Sequence, residues 1–222
     1  MFTGIIEHIG IVHSLMLTGT GGRVALHAPS LVGSLAVSKS IAVNGCCLTI
    51  TELVGERFSA DLSRETLSKT TFGATGSEWK TGSRVNLEQP LKAGQEFGGH
   101  FVLGHVDDIG RIMELQTEES GSNSWKFGVE VPLQFARYIV PQGSITVDGI
   151  SLTVATWDGR VAEIAVIPFT YQHTNLRDRK IGDVVNLEAD VLGKYIERYL
   201  EAREKNTPLS YAARDFSRTP RK

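Results

Sequence analysis

Apolar positions along this chain gather into short β-branched runs, separated by glycine, proline and small polar residues. Such runs predict strands rather than helices. The first covers residues 1–12, broken at Gly4 and Gly10; its counterpart covers residues 101–112, broken at Gly104 and Gly110. Further strands are expected over residues 24–28, 58–62 and 82–88, and again over 125–131, 162–167 and 182–188. The glycine-rich stretch 18–22 predicts a turn, and the polar stretch 118–124 a loop. Pro29 and Pro132 each suit the first position of a helical turn. Residues 63–67 predict a short helix, with Pro168 to Tyr171 at the matching place. Only the end of the chain changes period. Val191, Leu192, Tyr195, Ile196, Tyr199 and Leu200 form a helical stripe, with Glu197, Arg198, Glu201, Arg203 and Glu204 on the polar face. Beyond Asn206 the chain is polar, carries Pro208 and Pro220, and is expected to be disordered.

The pattern occurs twice. Residues 40–50 read SIAVNGCCLTI and residues 144–154 read SITVDGISLTV, a shift of 104 positions with 6 of 11 pairs identical. The strands at 82–88 and 182–188 share 5 of 7 residues at a shift of 100, so the first copy carries about four extra residues near 74–79. A repeat of half the chain length means two copies of one fold. Each copy offers about six short strands, which argues for a small antiparallel barrel or sandwich. Asn44-Gly45 and Asp148-Gly149 are tight-turn signals inside β-branched runs. The expected divisions are an N-terminal barrel at 1–97, with a linker at 90–96; a second barrel at 98–189; a helix at 190–205; and a tail at 206–222.

Composition removes several functions. The chain of 222 residues has a formal net charge of −2, which gives no electrostatic reason to expect nucleic acid or an anionic membrane. No apolar run reaches the roughly 18 residues of a membrane span. Glu7 interrupts the first apolar stretch and no basic leader precedes it, unlike a secretory signal. The two cysteines, Cys46 and Cys47, are adjacent; a vicinal disulfide is strained, so reduced thiols and a cytoplasmic location are expected.

The two copies differ where chemistry is carried. Cys47 stands opposite Ser151, each a potential nucleophile or a small residue filling a strand. Thr49 and Thr153, two residues on, share those faces. Asp148 opposite Asn44 is a turn residue or an acceptor near the reacting groups. His100 and His105 lie in a glycine-rich strand region without supporting metal ligands; each is a structural histidine or an acid-base group. The run from Gly98 to Gly104 lacks the Lys-Ser/Thr ending of a phosphate loop.

In order and duplicated, Met1-Phe2-Thr3-Gly4-Ile5-Ile6, Asn44-Gly45-Cys46-Cys47-Leu48-Thr49, Gly98-Gly99-His100, Gly104-His105 and Asp148-Gly149-Ile150-Ser151-Leu152-Thr153 resemble the riboflavin synthase family of the duplicated lumazine-binding type. The resemblance covers residues 1 to about 204. It implies an all-β fold: two six-stranded antiparallel Greek-key barrels plus a C-terminal α-helix. It implies a homotrimer tied by that helix, with repeat 1 of one chain facing repeat 2 of its neighbour, and leaves association with lumazine synthase open. The implied reaction is dismutation of two molecules of 6,7-dimethyl-8-ribityllumazine, without metal or redox cofactor. The rival is a non-catalytic lumazine or flavin binder.

Residue by residue, the resemblance puts His105, Ser151, Cys47, Thr153 and Asp148 in catalysis, with a supporting place for His100. It puts Gly4, Ile5, Ile6, Cys47, Leu48, Thr49, Asp61, Leu62, Ser63, Arg64, Glu65 and Thr66 at substrate, together with Gly104, His105 and Val106. In repeat 2 it adds Gln142, Ser151, Leu152, Thr153, Ala165, Val166, Ile167, Pro168, Phe169 and Thr170. Phe169 departs from the polar residue of repeat 1, and Gln142 from the lysine common in the family.

Overall fold

The computed structural model describes residues 1–74, 79–117 and 123–204. The chain builds two closed barrels, each of six antiparallel strands. The first contains β1 (His8–Thr18), β2 (Gly21–His27), β3 (Ser40–Val43), β4 (Cys46–Val54), β5 (Arg57–Ser63) and β6 (Arg84–Glu88). The second contains β7 (Asp108–Thr117), β8 (Trp125–Glu130), β9 (Ser144–Val147), β10 (Ile150–Trp157), β11 (Val161–Val166) and β12 (Val184–Ala189). Both close in one order: β1-β2-β5-β4-β3-β6 is repeated as β7-β8-β11-β10-β9-β12. The jump from β2 to β5, with β3 and β4 reached by a long connection, is the Greek-key step. Short helices α1 (Arg64–Lys69), α2 (Leu133–Ala136) and α3 (Pro168–His173) lie between strands.

The two hairpins that the sequence singled out are β3–β4 and β9–β10. Asn44 and Gly45 take φ of 44° and 75°, and Asp148 and Gly149 take 46° and 82°. Two successive positive φ values are those of a turn that matches strand twist. The turns meet back to back, since a Cβ on Gly45 would stand 2.7 Å from the Gly149 nitrogen.

The expected strand at 1–12 is corrected. β1 begins only at His8, and residues 1–7 form a leader that touches its counterpart through a single Phe2–Val102 bridge. Likewise β7 begins at Asp108. Gly4 and Gly104, both at φ 78°, bend these leaders out of their own barrels. Each leader is pinned first to the last strand of its own repeat. Glu88 accepts from the Thr3 and Gly4 amides at 2.7 and 3.0 Å; Glu188 accepts from Leu103 and Gly104 at 2.8 and 3.0 Å. Each then crosses over. The Ser151 amide donates to the Gly4 carbonyl and the Cys47 amide to the Gly104 carbonyl, both at 2.8 Å. Val106 is buried in the core of the first barrel, and Ile6 packs against the core of the second. The barrels thus exchange leaders.

Between them lies a buried polar network with the same near-symmetry. The Asn86 and Asn186 amides donate to the side chains of Asn44 and Asp148, at 2.8 and 2.9 Å. Their own side-chain nitrogens cross to the Asp148 and Asn44 carbonyls, at 2.9 and 2.7 Å. Buried polar groups are tolerated when so satisfied.

The helix α4 (Val191–Glu204) forms as its stripe predicts. Leu192, Tyr195, Ile196, Tyr199 and Leu200 are all exposed. No helix of the described residues is long and apolar enough to cross a membrane. The expected tail at 206–222 lies outside the described residues.

Candidate active site

Leader exchange creates two equivalent candidate half-sites, one on each barrel. Along β4 the side chains alternate: Cys46, Leu48 and Ile50 are buried, whereas Cys47 and Thr49 face outward. Along β10, Ile150, Leu152 and Val154 are buried, and Ser151 and Thr153 face outward. The period-two rule therefore holds for both pairs. Leu48, Leu62, Val106, Leu152 and Val166 are core residues, so their side chains are turned away from any ligand on the outer face. Cys46 is likewise sealed in: burial, and then the neighbouring Cys47 and Glu188, push its thiol up to about 12.

The first half-site takes Cys47 and Thr49 from β4, Asp61 and Ser63 from the exposed side of β5, Arg64, Glu65 and Thr66 from α1, and Gly104-His105 from the other repeat's leader. Ser63 caps α1, its hydroxyl accepting from the Thr66 amide at 3.0 Å. Asp61 lies 3.6 Å from Arg23. The second half-site takes Ser151 and Thr153 from β10, Ala165 from β11, Ile167, Pro168, Phe169 and Thr170 from the start of α3, and Gly4-Ile5-Ile6 from the first leader.

His105 and Ser151, both in repeat 2, fall in different places. The structure sets the His105 leader beside Cys47 and leaves Ile5 at the equivalent place beside Ser151. The histidine at Ser151 is His100. Its Nδ1 lies 2.7 Å from the Ser151 hydroxyl, and its Nε2 lies 3.1 Å from the Thr146 hydroxyl. Thr146 and Ser151 are cross-strand partners, so one imidazole bridges both strands of the hairpin. His100 is 7% exposed, and burial holds its pKa below the ordinary histidine value, opposed by the charge of Asp190. A neutral ring has one N–H; it donates to one hydroxyl and accepts from the other.

Asp148 goes elsewhere. Its Oδ1 accepts from the Asn186 amide, and its Oδ2 from Asn175 at 2.8 Å and Arg179 at 2.6 Å. The carboxylate is fully buried in the inter-barrel network, where those partners, and not Ser151 or His105, occupy it. Gln142 also stands apart. It is exposed at φ 64°, its amide donates to the Val154 carbonyl, and Ser38 does the same to Ile50 in the first repeat. Sequence reasoning missed Thr146 and Asp190. For Thr146 a signal existed, because Ala42 stands opposite it in the duplicated stretch.

A cavity of about 610 Å³ opens beside Ile5, lined by Thr3, Glu88, Pro90 and the linker through Gly98. It borders the second half-site without including Ser151, Thr153 or His100, so it adjoins the reacting groups rather than containing them.

Comparison with known proteins bears on the family and on the two-barrel fold. The lumazine binding domain matches the chain twice, at residues 3–90 and 103–190. Riboflavin synthase of Actinobacillus pleuropneumoniae is 41% identical over 216 residues, covering 97% of each chain. The Bacillus subtilis (strain 168) riboflavin synthase is 36% identical over 206 residues, covering 93% of each chain. Among solved structures, LumP complexed with riboflavin superposes with a TM-score of 0.77 at 24% identity, covering 85% of this chain and 99% of that one; this likeness speaks for the fold alone. With both barrels matched and full-length relatives at this identity, the chain belongs to the riboflavin synthase family, the one built from two lumazine binding domains.

Proposed function

We propose that the chain catalyses the riboflavin synthase reaction. Two molecules of 6,7-dimethyl-8-ribityllumazine exchange a four-carbon unit, giving riboflavin and 5-amino-6-ribitylamino-uracil. The observation that carries this reading is the pair of equivalent but unequal half-sites, with Cys47 beside the His105 leader and Ser151 hydrogen-bonded to His100. Two copies of one substrate suit two copies of one module, and a dismutation requires donor and acceptor to be handled differently.

In the second half-site the buried, neutral His100 orients the Ser151 hydroxyl toward the ligand, and Thr146 steadies the ring from its far side. Ser151 then delivers or orients the nucleophile that adds to one lumazine ring. In the first half-site His105 is exposed and serves as the acid-base group for methyl and ring protons, with Cys47 and Thr49 at the ring edge. The non-catalytic alternative is not favoured, since relatives 36–41% identical over nearly the full chain are named as the enzyme.

The test is incubation of the purified chain with the lumazine alone. Flavin absorbance should grow without any redox cofactor. Tight lumazine binding with no flavin formed would return the chain to the accessory-binder reading.

A homotrimer, with half-sites of neighbouring chains facing one another, accounts for the exposed apolar stripe on α4. A chain ending at Ala189 should sediment as a smaller species and lose activity on dilution. Full activity in a monomeric truncated chain would place the whole site within one subunit. A cytoplasmic setting fits the two free cysteines, one of them buried.

A further inference from the structure

The walls of the two half-sites differ in kind. In each barrel the outward residues at the end of the fifth strand continue into the short helix that follows. On the first barrel this row is Asp61, Ser63 and Glu65, exposed and polar throughout. At the equivalent positions 104 residues on, the row is Ala165, Ile167 and Phe169, exposed and apolar throughout. Ile167 is 57% and Phe169 is 65% exposed, so neither is packing its own barrel. The backbone beneath is the same in both. Thr70 donates its hydroxyl to the Thr66 carbonyl at 2.6 Å, and Thr174 does so to Thr170 at 2.8 Å.

The helical pair at each wall follows the same division. Glu65 lies 3.8 Å from Lys69. Phe169 instead stacks on His173 with ring centroids 4.0 Å apart and 17° between planes. The Phe169 carbonyl only accepts, so His173 donates to it from Nδ1, at 2.8 Å. This bond and the stacking hold the phenyl ring in place.

A polyhydroxyl chain needs hydrogen-bond acceptors, and a carboxylate is a strong one. An exposed phenyl and a butyl side chain offer none, but they favour a flat ring. We propose that the second half-site selects its ligand by the fused ring and is tolerant at the polyhydroxyl chain, whereas the first half-site reads that chain through Glu65 and Asp61. The proposal rests on the reading that each barrel holds one lumazine or flavin.

The probes are riboflavin and lumiflavin, which carries a methyl group in place of the ribityl chain. Binding of both is followed by flavin fluorescence on the full-length chain. The double variant Ile167→Ser, Phe169→Glu restores the polar wall. It should raise the preference for riboflavin over lumiflavin by about tenfold or more, the range expected for one added hydrogen bond to a charged group. Glu65→Phe should lower that preference by a similar factor. All three positions are exposed, and circular dichroism checks that the barrels persist.

A preference within twofold of the wild type in the double variant would overturn the proposal. So would a changed sedimentation coefficient with an unchanged preference, which would make the apolar row a contact between copies of the chain. If riboflavin binds neither wild type nor variant, the functional reading itself fails, and that outcome is told apart by the wild-type titration alone.

Discussion

Cys47 and Ser151 sit on one backbone design in two chemical settings. Each follows a two-residue turn, each faces outward, and each donates its amide to a leader from the other repeat. Across the strand, however, Cys47 faces Ala42, and Ser151 faces Thr146. The Ser151 side also carries His100, which lies between the Ser151 and Thr146 hydroxyls. Duplication therefore supplied two equal scaffolds, and the side chains placed on them made them unequal. The difference teaches where to look in a duplicated enzyme: at positions that fail to match inside a stretch that otherwise does.

The largest expected effect breaks the scaffold itself. The inter-barrel network is near-symmetric except that Asp148 carries a charge and Asn44 does not. Asp148 is fully buried, and its partner Arg179 has a side chain 8% exposed. Removing one member of a buried ion pair leaves the other uncompensated, at a cost of about 3–5 kcal/mol. Asp148→Ala should lower the unfolding free energy from denaturant titration by that amount, and Asn44→Ala by roughly 1–3 kcal/mol, the cost of leaving buried neutral donors unsatisfied. Equal losses in the two variants would mean that the charge contributes nothing beyond its hydrogen bonds.

Much of this was legible in the chain. Period-two alternation located the outward faces of β4 and β10, and Asn-Gly and Asp-Gly located their turns. The internal repeat announced two copies of one small antiparallel fold, barrel or sandwich, and the family resemblance pointed to barrels. Leader exchange was not legible, because alternation reveals which face a residue takes and not which barrel supplies its neighbour. Gly4 and Gly104 broke the predicted strands, but nothing local said that the bend leads into the other repeat. For the same reason His100 and His105 looked alike. Only the fold buries one between two hydroxyls and leaves the other exposed beside Cys47.

The next effect separates chemistry from binding. His105→Ala and Ser151→Ala should each lower turnover by about 10²–10⁴-fold, the usual worth of a positioned acid-base or nucleophile-delivering group. Lumazine affinity should change far less, since the outer walls remain. The leader exchange adds a sharper expectation: the two residues belong to different half-sites. Their effects should combine rather than saturate in the double variant. A double variant no slower than either single one would place them on one shared step, in one half-site.

The smallest effect concerns pH and comes from His100. Burial holds its folded pKa below the ordinary value of about 6.5, so the unfolded chain takes up that proton at a higher pH than the folded chain does. In the window between the two values the unfolded state binds more protons, and stability rises with pH. The neutral imidazole thus contributes fully above about 6.5, and its contribution is lost as pH falls toward the depressed folded value. Below the depressed folded value the ring is protonated and donates from both nitrogens, so whichever hydroxyl had donated to it loses its acceptor. His100→Asn keeps a polar side chain but cannot titrate. Denaturant midpoints of wild type and His100→Asn should therefore differ most near pH 8 and converge as the pH approaches 5. The first half-site has Ala42 and no buried imidazole, so Ala42→Ser should leave the pH dependence of stability unchanged. A pH profile of His100→Asn that parallels the wild type would assign the acid sensitivity to another group.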